Sequence, residues 1–108
     1  MTARGAVYKA ACKVVDRRSH GECEAPLEWR ITYGCWGRAT EHHHMRRRRS
    51  EADDAPEWLL HTCDPCHRAI HAYVELAYEY GLLVRSGRPS KLTRTITQAT
   101  SQDLRGEP

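Results

Sequence analysis

The stretch "CDPCHRAIHAYVELAYEYG", residues 63–81, decides how this chain is read. Cys63 and Cys66 are separated by two residues, directly before a helical pattern. Asp64 suits an N-cap and Pro65 the first helical position. Ile70, Val74 and Ala77 form an apolar stripe, and Gly81 is a natural stop. The stretch therefore predicts one helix of about four turns. A C-x-x-C at the head of a helix aims two thiolates at one tetrahedral zinc, or it forms a redox pair. His67 and His71 lie four apart, on one helix face about 40° apart around the axis. Such a pair clamps a metal or simply sits in water. In the first turn, the positive end of the dipole favours the neutral imidazole that a ligand requires at His67.

The rest of the composition bears on that choice. The chain has 108 residues, 40% of them hydrophobic, and no Phe. Its mean hydropathy is -0.74. One domain with a thin core is expected, of the kind that recruits a metal, disulfides or a partner. "MTARGAVYKAACKVV", residues 1–15, has no apolar run suited to a signal peptide, and no segment is long and apolar enough to cross a bilayer. A cytoplasmic protein is expected, without a membrane partner. Cysteines there stay reduced, so Cys12, Cys23, Cys35, Cys63 and Cys66 read better as ligands or core thiols than as disulfides. A C-x-x-C needs two more ligands, and Cys23 and Cys35 can supply them; His61 or another histidine is the rival fourth ligand. Cys12 is then the spare. Zinc binding of about 10–16 kcal/mol in small domains would outweigh a weak core. The redox alternative lacks a βαβ pattern around the motif.

Working outward, Ala6, Val7, Ala10, Ala11, Val14 and Val15 have the spacing of an amphipathic helix, with Gly21 as its stop. In "PLEWRITYGC", residues 26–35, Leu27, Trp29, Ile31 and Tyr33 alternate with polar residues, which predicts a strand broken at Gly34. "ATEHHHM", residues 39–45, is a second short extended run, so a two-stranded hairpin between the two is expected. Residues 46–55 are charged and aperiodic and read as a loop. Residues 88–108 carry little apolar pattern and read as a loosely ordered tail. The expected organisation is an N-terminal helix over 1–20, a central domain over 21–87, and the tail. The net charge is only +3, but Arg46, Arg47, Arg48 and Arg49 concentrate it beside three histidines.

Taken together, "ATEHHHMR" (39–46), "PEWLL" (56–60) and "CDPCHRAIH" (63–71) resemble the HNH, or ββα-metal, endonuclease family. The likeness is nearest to small zinc-containing members from actinobacterial phages, which also carry a stretch like "AYEYGLLVRSG" (77–87) after the helix. It covers roughly residues 20 to 87. The resemblance implies an α+β fold, a zinc-stapled ββα-metal domain. It also implies metal-dependent hydrolysis of double-stranded DNA to 5′-phosphate and 3′-hydroxyl ends, in a bacterial host cytoplasm, beside a phage terminase.

By the same resemblance His43 binds the catalytic divalent cation (Mg²⁺, Mn²⁺, Ni²⁺ or Zn²⁺) together with His67 and His71. His44 is the general base that activates water. His42 is an extra residue or the register alternative, because strict strand alternation puts His42 and His44 on one face and His43 on the other. Both neighbours reach one site only if the strand ends or twists there. The base needs an acceptor on its other ring nitrogen to fix the tautomer. Arg46 to Arg49 would hold the DNA backbone without reading sequence; the alternative is a solvated basic loop. One position departs from the family. Nine residues before His67, where the family has Asn, stands Trp58. Indole has one donor and no acceptor, so it cannot do both jobs of the amide. Either another residue does them, or the chain is a zinc-stapled DNA-binding or packaging-accessory module.

Overall fold

The computed structural model describes residues 3–85 and 87–106. Residues 1–2 of the expected N-terminal segment, Ser86, and residues 107–108 of the expected tail lie outside the described residues. Two antiparallel strands, β1 (Glu41–His44) and β2 (Leu59–Thr62), are surrounded by five helices: α1 (Ala3–Ser19), α2 (Leu27–Tyr33), α3 (Asp64–Ala72), α4 (Val74–Glu79) and α5 (Lys91–Leu104). The chain is a small α+β protein. No helix among the described residues is long and apolar enough to cross a membrane.

The pairing runs Glu41↔Thr62, His42↔His61, His43↔Leu60 and His44↔Leu59. The histidine strand thus pairs with residues 59–62, and the expected hairpin with 27–33 does not form. All four residues of β2 are buried, which fits a strand covered on both faces. Alternation divides them: Leu59 packs with Ala11 and Val15 of α1, while Leu60 packs with Trp29, Met45, Cys63 and Ile70. The sheet therefore lies between α1 on one face and α2 with α3 on the other.

The buried stripe of α1 is Ala11, Val15, Arg18 and Ser19, so the expected stripe is right at its C-terminal half only; Val7 is 36% exposed. Burying Arg18 requires that all five of its N–H donors find acceptors. They do. Nε and one terminal nitrogen donate to Glu24, that nitrogen also reaches the Leu59 carbonyl, and the other reaches the Pro56 carbonyl and Thr100 Oγ1. One side chain thereby ties α1 to β2, to the 3₁₀ turn at Pro56–Trp58 and to α5.

Three elements differ from the sequence expectation. Residues 27–33 are a helix, not a strand. Leu27, Trp29, Ile31 and Tyr33 alternate, but they also form two i, i+4 pairs. Trp29 and Tyr33 turn inward with ring centroids 4.6 Å apart, while Leu27 and Ile31 turn outward at 67% and 73% exposure. Gly34, at φ 70°, closes the helix with its N–H on the Arg30 carbonyl. The predicted helix over 64–81 is broken at Tyr73, whose φ of -123° and ψ of 61° leave the helical region. The Tyr73 ring stacks on Tyr33 at 5.2 Å. Cys63, rather than Asp64, is the N-cap of α3.

The expected loose tail contains α5. Ser90 opens it with a reciprocal cap: its Oγ accepts from the Thr93 N–H and its N–H donates to Thr93 Oγ1. The inward face is Thr93, Ile96 and Thr100. Two of the three are threonines, so the apolar pattern is weak, yet Thr100 satisfies itself on the Ile96 carbonyl and on Arg18. Gly81 makes room for this docking. It sits at φ 76°, and a Cβ there would meet Ser90 at 2.8 Å.

Ile96 is 5% exposed, so Ile96→Ala should destabilise the protein by about 2–5 kcal/mol in urea denaturation. A loss below about 0.5 kcal/mol would mean that α5 does not pack as described.

Candidate functional site

The thiols of Cys23, Cys35, Cys63 and Cys66 lie within 4.8 Å of one another, and all four cysteines are free. Cys63 Sγ and Cys35 Sγ are 3.6 Å apart, far beyond a disulfide bond. Four sulfurs about 2.3 Å from a tetrahedral zinc would be about 3.8 Å apart. The group can hold a metal ion. The long gap between Cys23 and Cys35 is folded back on itself: α2 fills it, and an antiparallel bridge between Glu22 and Arg38 closes it. The Cys23 N–H donates to the Gly37 carbonyl at 2.8 Å, and Trp29 Nε1 donates to the Cys66 carbonyl at 3.1 Å.

Burial pushes the Cys23 thiol up to about 11 and the Cys66 thiol well above the ordinary range. Burial also opposes ionisation of Cys35. There, hydrogen bonds from Arg30 Nε and the Gly37 N–H, both 3.3 Å, outweigh it and bring the thiol down to about 7. Crowded thiolates repel, so a cation is what would let all four ionise together.

On the α3 side of the sheet, His43, His67 and His71 form a second group with ligand atoms within 4.8 Å of one another. The His43 ring centroid is 5.3 Å from that of His67 and 6.3 Å from that of His71. His67 Nε2 and His71 Nε2 are 3.2 Å apart, close to the roughly 3.3 Å expected for two nitrogens about 2.0–2.1 Å from one tetrahedral metal. His43 Nε2 lies 2.8 Å from the Leu82 carbonyl. A carbonyl only accepts, so Nε2 carries the proton and Nδ1 keeps a lone pair. Leu82 reaches this position because its N–H turns back to the Ala77 carbonyl beyond α4 and the Val84 N–H pairs with the Met45 carbonyl. Burial drives the His43 pKa down to about 4, with minor contributions from its histidine neighbours. Burial, then the charge of His71, lowers that of His67.

His42 and His44 point to the α1 face, as strict alternation requires. The His44 ring stacks on Tyr8 at 5.6 Å, and its Nε2 lies 2.9 Å from Asp54 Oδ1. Even so, His44 borders the same cleft of about 400 Å³ as His43, His67 and His71. Asp54 is fully buried. Arg48 grips both its oxygens and, against the effect of burial and with help from His44, holds the carboxyl below its ordinary range. The carboxylate accepts from His44 Nε2–H, so in the neutral ring Nδ1 keeps the lone pair.

Residues 46–55 are thus a built loop rather than an aperiodic one. Ser50 and Asp53 cap the 3₁₀ turn Glu51–Asp54, and Asp53 Oδ2 accepts from the Arg49 and Ser50 N–H groups. The arginine run divides into two kinds. Arg46 lies 3.9 Å over the Trp58 ring and pairs with Asp53, and Arg48 is committed to Asp54. Arg47 and Arg49 are exposed, and with Arg46 and Arg85 they line a second cleft of about 520 Å³. The two clefts share Arg46, Arg47 and Tyr78.

Asp54 and the Leu82 carbonyl escaped the sequence reading. The S-x-x-D of Ser50–Asp53 signals the turn that buries Asp54; nothing local signals a main-chain oxygen. Compared with protein-family models, curated proteins and solved structures, the chain matches none.

The depressed pKa of His43 has a pH consequence. The unfolded chain takes up this proton near pH 6.5 and the folded chain only near 4. Its contribution to stability is present above pH 6.5 and is lost as pH falls from there toward 4. Without added metal, His43→Gln should reduce by about 1 kcal/mol the stability lost between pH 7 and 5.5 in urea titrations. An unchanged loss would contradict a buried, neutral His43.

Proposed function

We propose that this chain is a metal-dependent endonuclease of the HNH, or ββα-metal, type that hydrolyses DNA phosphodiester bonds. The observation that carries the reading is the joint placement of His43, His67 and His71 in one cleft with His44 and its buried partner Asp54. The β1–β2 pair followed by α3 has the order of that fold, and the four cysteines at its edge would hold a structural zinc.

His43, His67 and His71 would hold the catalytic divalent cation. When bound, it supplies neutralisation of charge that develops on the phosphodiester during attack. His44 Nδ1 takes the proton from a water molecule as its oxygen bonds to phosphorus, the bond to the 3′-oxygen breaks, and that oxygen takes a proton from solvent to leave as the 3′-hydroxyl. Asp54 keeps the proton on Nε2 and stabilises the imidazolium that forms, the role a carboxylate plays behind a catalytic histidine. Asp54 here orients the base, and the Trp58 ring braces Arg46 of the loop that follows it. Arg47 and Arg49, rather than the whole run, face the DNA backbone. A double-stranded DNA substrate, a phage setting and a terminase as neighbour rest on the sequence resemblance alone.

Purified protein incubated with supercoiled plasmid should nick or cut it with Mg²⁺, Mn²⁺ or Ni²⁺ and stop when EDTA is added. His44→Ala should slow cleavage at least about 100-fold, with circular dichroism and DNA retardation unchanged. Retardation by the wild type with no cleavage under any of these metals would favour a zinc-stapled binding module instead. Cleavage by His44→Ala at the wild-type rate would overturn the base assignment.

A further inference from the structure

The α1 face of the sheet carries a third convergence of ligand atoms, separate from the His43, His67 and His71 group, although His42 also borders the proposed nuclease cleft. His42 on β1 and His61 on β2 are directly opposed across the strand pair. Their rings stack with centroids 4.7 Å apart and only 9° from parallel. Both Nε2 edges turn to one oxygen on α1: His42 Nε2 lies 2.6 Å and His61 Nε2 3.5 Å from Asp16 Oδ1. The second distance is longer than a good N–H···O bond of about 2.7–3.2 Å. All three ligand atoms lie within 4.8 Å of one another.

The partners behind the site allow His61 to present a lone pair to it. Ser19 Oγ lies 2.6 Å from His61 Nδ1 and 3.2 Å from the Asp16 carbonyl, and it accepts from the Gly21 N–H at 3.1 Å. With the hydroxyl proton on the Asp16 carbonyl, His61 donates Nδ1–H to Ser19. Its Nε2 lone pair then faces the Asp16 carboxylate. A lone pair against an anion is unfavourable alone and becomes favourable with a cation between them. A metal-ligating histidine typically donates its other ring N–H in this way.

We propose that Asp16, His42 and His61 form a further cation site, selective for a borderline transition ion such as Zn²⁺ or Co²⁺. Two imidazoles and one carboxylate suit such ions better than Mg²⁺, which prefers oxygen donors. The Asp16 side chain is 54% exposed and that of His61 only 8%, so the ion enters from solvent and keeps open positions there. Bound, it clips α1 to both strands.

Equilibrium dialysis of the wild type against micromolar Co²⁺, followed by elemental analysis, should give three divalent ions per chain. They correspond to the cysteine group, the His43 group and this site. Asp16→Asn, at an exposed position, should bind two; His61→Gln should lose the same ion, and the double variant no more. Ser19→Ala should weaken that one ion by about 10–100-fold, the usual effect of removing a ligand's outer partner. Binding in His67→Gln with His71→Gln should leave this ion in place. Equal stoichiometry in the wild type and Asp16→Asn, with both folded by circular dichroism, would overturn the proposal, whatever the plasmid assay shows.

Discussion

Convergence of four cysteine thiols is the constraint on which the remaining geometry depends. Cys63 caps α3 and Cys66 sits within its first turn, so whatever fixes those sulfurs also fixes the helix carrying His67 and His71. Cys23 and Cys35 anchor the two ends of the segment that contains α2, and Trp29 is buried against the group. Small domains are stable by only about 5–15 kcal/mol, while zinc binding in such sites is worth about 10–16 kcal/mol. For a chain with a core this thin, a zinc ion bound there would contribute as much as the whole folding free energy.

The second organising feature is the two-residue period of β1. Three consecutive histidines cannot act alike on a strand, because neighbours face opposite ways. His43 is sent into the α3 side, buried and neutral, against the Leu82 carbonyl. His42 and His44 are sent to the α1 side, each onto a carboxylate, Asp16 and Asp54. The two carboxylates differ in a way that matters for chemistry. Asp54 is fully buried and gripped by Arg48, which suits a fixed orienting group, whereas Asp16 is open to solvent. In the proposed nuclease the run "HHH" is therefore three separate instruments: a ligand, a base and a residue of another site.

How much of this was legible in the sequence varies by element for physical reasons. The C-x-x-C at the head of a helix and the i, i+4 histidines depend on local spacing alone, and they were legible; the cap at Asp64 and the single helix to Gly81 were not, because Cys63 caps α3 and the chain breaks at Tyr73. The four-cysteine group was legible too, although the way α2 folds the Cys23–Cys35 gap was not. The alternation in 27–33 misled because Leu27 and Ile31 are apolar yet exposed, so side-chain type did not report burial there. The α5 helix was missed because buried threonines on hydrogen bonds carry its inner face. Asp54 was overlooked inside a charge cluster, since burial of a carboxylate depends on Arg48 and His44 arriving from elsewhere. Strand partners are likewise non-local: β1 pairs across the arginine loop with 59–62 instead of with the nearer segment.

If the cysteine group binds zinc through four thiolates, that ion holds α3 in place. Zinc X-ray absorption on protein loaded with one equivalent tests it most directly. Four sulfurs at about 2.3 Å and no nitrogen are expected around the ion. A shell dominated by nitrogen or oxygen at about 2.0 Å would contradict it, because the first zinc would then be choosing the histidines over the cysteines.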